Sequence, residues 1–169
     1  DLTKVFKVDK KEVISLFPGS LEEYKMWDTA HFSGLITDLV SKYPSFKFEV
    51  VCGPGEQIHG ERIMKALKTE ILDKVGLINI NSIVKLVEHV GHSKLVVAND
   101  SAPVHIAVGL NVPVVCVFNG TRYNRFVPYP KNSQIQCYCV MPEMFVNEIG
   151  RSPEREKAYY KTISQYNIN

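Results

Sequence analysis

Residues 95–118, LVVANDSAPVHIAVGLNVPVVCVF, constrain this chain most, because two apolar runs rich in valine enclose a polar turn and a short apolar helix pattern. Residues 95–98 read as a buried strand. Asn99, Asp100 and Ser101 then offer candidate caps, with Pro103 inside the first helical turn, so a helix is predicted to start at Ser101. Its apolar residues Val104, Ala107, Val108 and Leu110 face a sheet. Asn111 ends it, and Pro113 bars its continuation into the strand predicted at 114–118. Such strand-helix-strand units build parallel sheets. Their ligands sit beyond the carboxyl ends of the strands, where helix amino termini present N–H groups and partial positive charge. The segment therefore predicts an anion site.

The same alternation runs through the chain. Strands are predicted at 12–17, 47–52 and 76–80. A helix at 29–42 turns Phe32, Leu35, Ile36, Leu39 and Val40 inward, and one at 60–72 does so through Ile63, Met64, Leu67 and Ile71. Ser82 caps a third, which runs to His92 with Ile83, Leu86, Val87 and Val90 inward. With right-handed crossovers the five strands predict a doubly wound, Rossmann-like α/β fold: a parallel sheet in order 3-2-1-4-5 with helices on both faces. Residues 1–169 are expected to form a single domain with its core at about 11–120. Beyond it, Pro128, Pro130, Pro142 and Pro153 interrupt the chain, and 154–166 reads as a polar helix. The tail, 121–169, is expected to wrap the domain.

With 45% hydrophobic and 22% charged residues, the composition is that of a globular core. A net charge of +2 is too small to point to nucleic acid or a membrane surface. No apolar run approaches the ~20 residues that span a bilayer. No signal peptide is visible, and a chain that begins at Asp1 without an initiator Met reads as a cut piece.

Three segments carry a family resemblance: ISLFPGSLEEYKMWDTAHFSGLITDL at 14–39, VVCGPGEQIHGERI at 50–63, and NDSAPVHIAVGLNVPVVCVFNGT at 99–121. In this order and separation they resemble the C-terminal, donor-binding half of glycosyltransferase family 9, the ADP-heptose:lipopolysaccharide heptosyltransferase group. The pattern departs at Ala102, where the family usually has Gly, and at Asn119-Gly120, where it has Gly-Pro. The run RFVPYP at 125–130 is similar to a divergent bacterial branch. The resemblance implies one half of a two-domain GT-B enzyme, with the N-terminal acceptor half and its catalytic base absent and this piece alone inactive. It further implies a nucleotide-sugar donor such as ADP-heptose and a lipopolysaccharide, lipid-linked or other glycan acceptor. The site of action it implies is cytoplasmic, at the inner face of the bacterial inner membrane, with peripheral membrane contact in the full-length protein.

Transfer from a sugar diphosphate requires charge stabilisation on the leaving nucleoside diphosphate. The chain has no Asp-x-Asp pair, so no metal and no cofactor are expected. Ser101 and the N–H groups of Ala102 and Val104 would meet a phosphate at the helix start beside Asp100. His105, four residues after Ser101, lies on the same face and would donate to the diphosphate. Pro18-Gly19-Ser20 ends the first strand at the same edge, where Gly19 lets the backbone approach a ligand. Lys25 by itself reads as a solvated lysine. Its match to the family's lysine before Trp27 makes it a mobile charge within reach of the phosphates. After the second strand, Gly53, Pro54 and Gly55 lead to Glu56, and Glu61 follows. A carboxylate there is placed to accept ribose hydroxyls; Glu56 is preferred and Glu61 is the alternative.

Other residues read more plainly. Arg122, Tyr123 and Arg125 follow the fifth strand and would touch donor sugar or acceptor, or are plain surface. His31, His59, His89 and His92 lack ligand spacing and read as surface or packing residues. Cys52 and Cys116 read as small core residues, and Cys137-x-Cys139 has no second pair to complete a metal site. Lys4, Lys7, Lys10 and Lys11 read as a solvated face. The absence of G-x-G-x-x-G after the first strand disfavours a dehydrogenase, and an ending in Phe17-Pro18-Gly19 disfavours a receiver domain. A non-catalytic Rossmann-like domain binding a nucleotide or anion is the alternative from another class.

Overall fold

Strands whose two faces are both apolar need cover on both sides, and helices provide it here. The computed structural model describes residues 12–120, 123, 125–130, 136–148 and 152–155. Its strands are β1 (Val13–Phe17), β2 (Lys47–Cys52), β3 (Val75–Asn79), β4 (Leu95–Asn99), β5 (Val114–Val117) and β6 (Cys137–Val140). They form one parallel sheet in the order β3-β2-β1-β4-β5-β6. The helices are α1 (Thr29–Lys42), α2 (Gln57–Ala66), α3 (Ile83–His92), α4 (Ala102–Gly109) and α5 (Glu143–Glu148).

Successive strand residues enter two separate cores, as the pleat dictates. Ile14, Leu16, Phe48, Val50 and Val97 pack with Phe32, Ile36 and Val40 of α1 and Ile63 of α2. Phe17, Val51, Val96 and Ala98 pack with Val90 of α3 and Val104 and Ala107 of α4. The chain thus covers one face with α1 and α2 and the other with α3 and α4. The change of face falls between β1 and β4, which are neighbours in the sheet. A crevice opens at such a reversal, beyond the carboxyl ends of the strands.

Local chemistry sets the helix ends. Asp28 caps α1 by accepting from the Ala30 N–H at 2.7 Å, and Ser82 caps α3 through the Lys85 N–H at 3.3 Å. Asn111 takes φ of 55° just after α4, a conformation that suits Asn. His89 is a packing residue, its Nε2 3.2 Å from Ser15 Oγ and 3.1 Å from Glu49 Oε2.

The five expected strands stand in the expected order, and the structure differs from the sequence reading in three respects. The sheet has a sixth strand, because residues 137–140 of the expected wrapping tail pair with β5. Four residues of alternating exposure, closed off by Pro142, are too short a pattern to register as a strand. The helix predicted at 60–72 starts at Gln57, stops at Ala66 and gives way to a 3-10 turn, Thr69–Lys74. Ile63, Leu67 and Ile71 all still reach the same core, so their spacing carries no sign of the break. Ser101 precedes α4 rather than opening it, and its side chain makes no capping bond. Of the helix predicted at 154–166, residues 154 and 155 are helical, following Pro153; the rest lies outside the described residues, as do Lys4, Lys7, Lys10 and Lys11. No helix among the described residues is long and apolar enough to cross a membrane.

Gly60 lies inside α2 against the sheet, where a Cβ would come within 2.5 Å of Leu77 Cδ1 and 2.6 Å of Cys52 Sγ. Gly60→Ala should lower stability by about 1–2 kcal/mol, since overpacking outweighs the gain in helix propensity. Gly34 on α1 has nothing within 4 Å of such a Cβ. Gly34→Ala should raise stability by about 0.5–1 kcal/mol. Urea titration of the two variants checks both; equal effects at the two sites would contradict the packing of α2.

Candidate functional site

The crevice is a cleft of about 800 Å³. Nucleotide-sized ligands occupy cavities of roughly 300–1,000 Å³. The loop after β1 supplies Gly19, Ser20, Leu21, Glu22 and Lys25, the turn after β2 supplies Gly53, Pro54 and Glu56, and residues 100–103 with His105 close the floor. An apolar wall is formed by Val51, Ile80, Ile83 and Leu86, and Phe126 stands at the rim.

The loop after β1 is held from below by the strand ends. Asn99 is fully buried at the end of β4. Its Nδ2 donates to the Pro18 carbonyl at 2.7 Å, and its Oδ1 accepts the Trp27 N–H at 3.0 Å. Asn119, just past β5, donates to the Tyr24 carbonyl at 3.0 Å. Between these attachments the chain forms a 3-10 turn, Glu23–Lys25. The Trp27 ring stacks on His31 with centroids 5.3 Å apart and meets Phe32 edge-on.

This anchoring turns Lys25 inward. The residue is only 7% exposed, with Nζ 2.9 Å from Glu22 Oε2 and 3.2 Å from Asp100 Oδ2. Burial opposes the charge, but the hydrogen bonds and attraction of the two carboxylates outweigh it and hold the ammonium above its usual 10.5. Lys25 is therefore a fixed charge and not the mobile one expected. Asp100, 7% exposed, is its counter-ion, and the Asp100 N–H is itself bonded to the Val117 carbonyl at 3.1 Å.

At the start of α4 the donor set is smaller than expected. The Val104 N–H is engaged by the Ser101 carbonyl at 3.1 Å, which leaves Ala102 and the Ser101 side chain at the mouth of the cleft. The Ser101 hydroxyl turns back and donates to the Asn99 carbonyl at 3.1 Å. His105 lines the cleft, its Nδ1 2.8 Å from Tyr129 Oη and its ring packed edge-on against Phe126 and Tyr129.

The two candidate carboxylates separate. Glu56 lines the cleft with Oε2 accepting the Gly53 N–H at 2.7 Å, whereas Glu61 is exposed on α2 away from it. Glu56 also explains Gly19. A Cβ there would lie 2.0 Å from the Glu56 carboxyl carbon, so the missing side chain makes room for this carboxylate first of all. Ser20 Oγ accepts weakly from the Glu22 N–H at 3.4 Å. Tyr123 packs between Phe118 and Phe145, and Arg125 is exposed over Phe126; neither lines the cleft, and Arg122 lies outside the described residues. The free thiol of Cys139 is pushed up to about 12 by its hydrogen bond with Cys116 and by burial, against the opposing effect of its hydrogen bond with Cys137. No group of three or more His, Cys, Asp or Glu side chains among the described residues is placed to hold a metal ion.

Sequence reasoning missed the apolar wall, the anchoring role of Asn99 and Asn119, and the contact of Glu22 with Lys25. Asn99 stood among the candidate caps, but nothing local says that its amide reaches a segment some eighty positions away.

Comparison with known proteins places the chain in context. The family model for glycosyltransferase family 9 (heptosyltransferase) matches residues 2–148. Lipooligosaccharide heptosyltransferase 2 of Campylobacter jejuni is 26% identical over 120 residues, which are 70% of this chain and 37% of that protein. Lipopolysaccharide heptosyltransferase 3 of Escherichia coli K12 is 26% identical over 125 residues, 73% of this chain and 35% of that protein. The chain thus spans little more than a third of these curated relatives. The fold is similar to that of E. coli heptosyltransferase WaaC, solved with ADP: the TM-score is 0.65 at 17% identity, covering 93% of this chain and 45% of that one.

The Lys25 ion cluster makes its own prediction. Removing one partner leaves a buried carboxylate uncompensated, so Lys25→Met should cost about 3 kcal/mol, and adding Asp100→Asn should restore more than half of it. Because the folded state holds the ammonium above 10.5, this contribution is complete below that pH and is lost as pH rises through the folded value. Denaturant titrations of the two variants, with a wild-type series into the alkaline range, read both effects. A Lys25→Met variant as stable as wild type would contradict the buried pair.

Proposed function

Because this chain belongs to glycosyltransferase family 9, the heptosyltransferase family, we propose that it is the donor-binding half of a sugar-transferring enzyme whose cleft holds the donor's nucleoside diphosphate. The observation that carries this reading is Lys25: a buried ammonium in the cleft, held charged above its usual 10.5, beside the start of α4 and His105. Buried ion pairs contribute little net stability, so a lysine brought into a cleft by an anchored loop is there for a ligand.

Sugar transfer breaks the bond between the anomeric carbon and the β-phosphate oxygen, and negative charge grows on the departing diphosphate. Lys25 meets that charge with an ammonium, His105 with its second ring nitrogen, and α4 with its uncapped amino terminus. The phosphates compete with Glu22, whose side chain is about one-third exposed (34%), while Asp100 (6%) keeps its hold on the lysine from below. Glu56, with one oxygen spent on Gly53, offers the other to ribose hydroxyls. The apolar wall of Val51, Ile80, Ile83 and Leu86 takes the base.

The donor class is an ADP-sugar, with ADP-heptose the first candidate, because the relatives are heptosyltransferases and the similar fold was solved with ADP. The acceptor is a lipopolysaccharide or related glycan, held with the catalytic base by sequence outside this chain. Binding is metal-independent, its cations being side chains. A nucleotide-sugar donor places the reaction in the cytoplasm, at the inner face of the membrane that carries the acceptor.

Titration calorimetry of the 169-residue chain tests this. ADP should bind at least about tenfold tighter than AMP, the worth of one charge-assisted contact to the β-phosphate. A chelator should leave that affinity unchanged, and the chain alone should transfer no sugar. Equal affinities for ADP and AMP, or binding abolished by chelator and restored by Mg²⁺, would refute the reading.

A further inference from the structure

His105 is useful to an anion only if the nitrogen turned to the ligand carries a proton. We propose that Tyr129 is a positioning residue that sets the proton on Nε2 of His105 and so makes this imidazole a neutral hydrogen-bond donor into the cleft. The inference rests on the cleft being a diphosphate site, as read above.

The geometry is specific. Tyr129 Oη lies 2.8 Å from His105 Nδ1, and neither group has another hydrogen bond among the described residues. A phenol donates well and accepts poorly, because its oxygen lone pair is drawn into the ring; the unprotonated imidazole nitrogen is a strong acceptor. If Nδ1–H donated to the phenol instead, the Tyr129 proton would be left without an acceptor among these residues, inside a half-buried setting where unmet donors are costly. With Tyr129 donating, Nδ1 is the acceptor and the proton of the neutral ring is on Nε2. Burial raises the Tyr129 pKa above 10.0, which keeps the phenol protonated and able to donate.

The support behind Tyr129 is equally fixed. Its ring packs against the core cluster that contains Phe118 and Val127, and the ring planes of Tyr129 and His105 meet at 60° with centroids 6.1 Å apart. Phe126, 6.0 Å from the imidazole centroid, flanks the same ring. The imidazole is thus confined by two aromatic rings and aimed by one hydroxyl. The segment at 125–130, of which the sequence singled out only Arg125 as a donor-sugar or acceptor contact or plain surface, supplies the outer wall of the anion site through Phe126 and its alignment through Tyr129.

Nitrogen-15 NMR of the nucleotide-free chain at mildly alkaline pH tests the tautomer without any ligand. His105 should show its proton on Nε2 and an Nδ1 signal shifted by hydrogen bonding, and Tyr129→Phe should abolish that shift. In calorimetry, Tyr129→Phe should weaken ADP binding about tenfold, leave adenosine binding within about twofold, and hardly move the melting temperature. A wild-type proton on Nδ1, or unchanged ADP affinity in Tyr129→Phe, would overturn the proposal. Failure of the wild-type chain to bind ADP would refute the diphosphate reading instead, and the tautomer measurement would still decide what Tyr129 does to His105.

Discussion

One buried amide organises the site. Asn99 ends β4 with no exposed surface and spends both of its polar atoms on the backbone of the loop after β1, one at each end of it. A buried amide left unpaired costs about 1–3 kcal/mol, so the two bonds are enforced as much as they are favourable. The effect is to close residues 18–27 into a fixed arch over the carboxyl ends of β1 and β4. Asn119 adds a third attachment near its middle. Lys25, Glu22 and Ser20 owe their places in the cleft to this arch.

The arch brings a lysine into contact with Asp100, the residue next to the amide that anchors it. Taking both charges out of water costs several kcal/mol per ion, and only good geometry recovers it. Here Lys25 has a second carboxylate, Glu22, which is more exposed than Asp100. One strong and one dispensable counter-ion suit a cation that must be held in place yet made available to an incoming anion. A related division appears at His105, a residue of the cleft lining, where Tyr129 occupies one ring nitrogen and the other has no hydrogen bond among the described residues.

Much of the fold was legible in the sequence. α1 and β2 match their predicted limits residue for residue, because an Asp cap opens the one and a clear alternation carries the other. The strand order followed from right-handed crossovers and needed no long-range information. What escaped depended on contacts between distant segments. β6 is a strand only because β5 offers it an edge, and Gly60 marks the close approach of α2 to the sheet, not a helix start. At the site, Gly19, Ser20, Lys25, Glu56, Asp100, Ser101, Ala102 and His105 all line one cleft, whereas Glu61, Val104, Tyr123 and Arg125 do not. Their partners were invisible: Gly19 read as an opening for ligand until the Glu56 carboxylate was found filling it, and Ser101 read as a cap although its hydroxyl faces backwards.

A crystal structure of the chain with ADP tests the central claim, that the arch anchored by Asn99 delivers Lys25 to a diphosphate. The β-phosphate should lie within hydrogen-bonding distance of Lys25 Nζ, with the Glu22 contact opened and the Asp100 contact kept. A nucleotide bound elsewhere, or phosphates in the cleft with Lys25 still held by Glu22 and touching no phosphate oxygen, would contradict it.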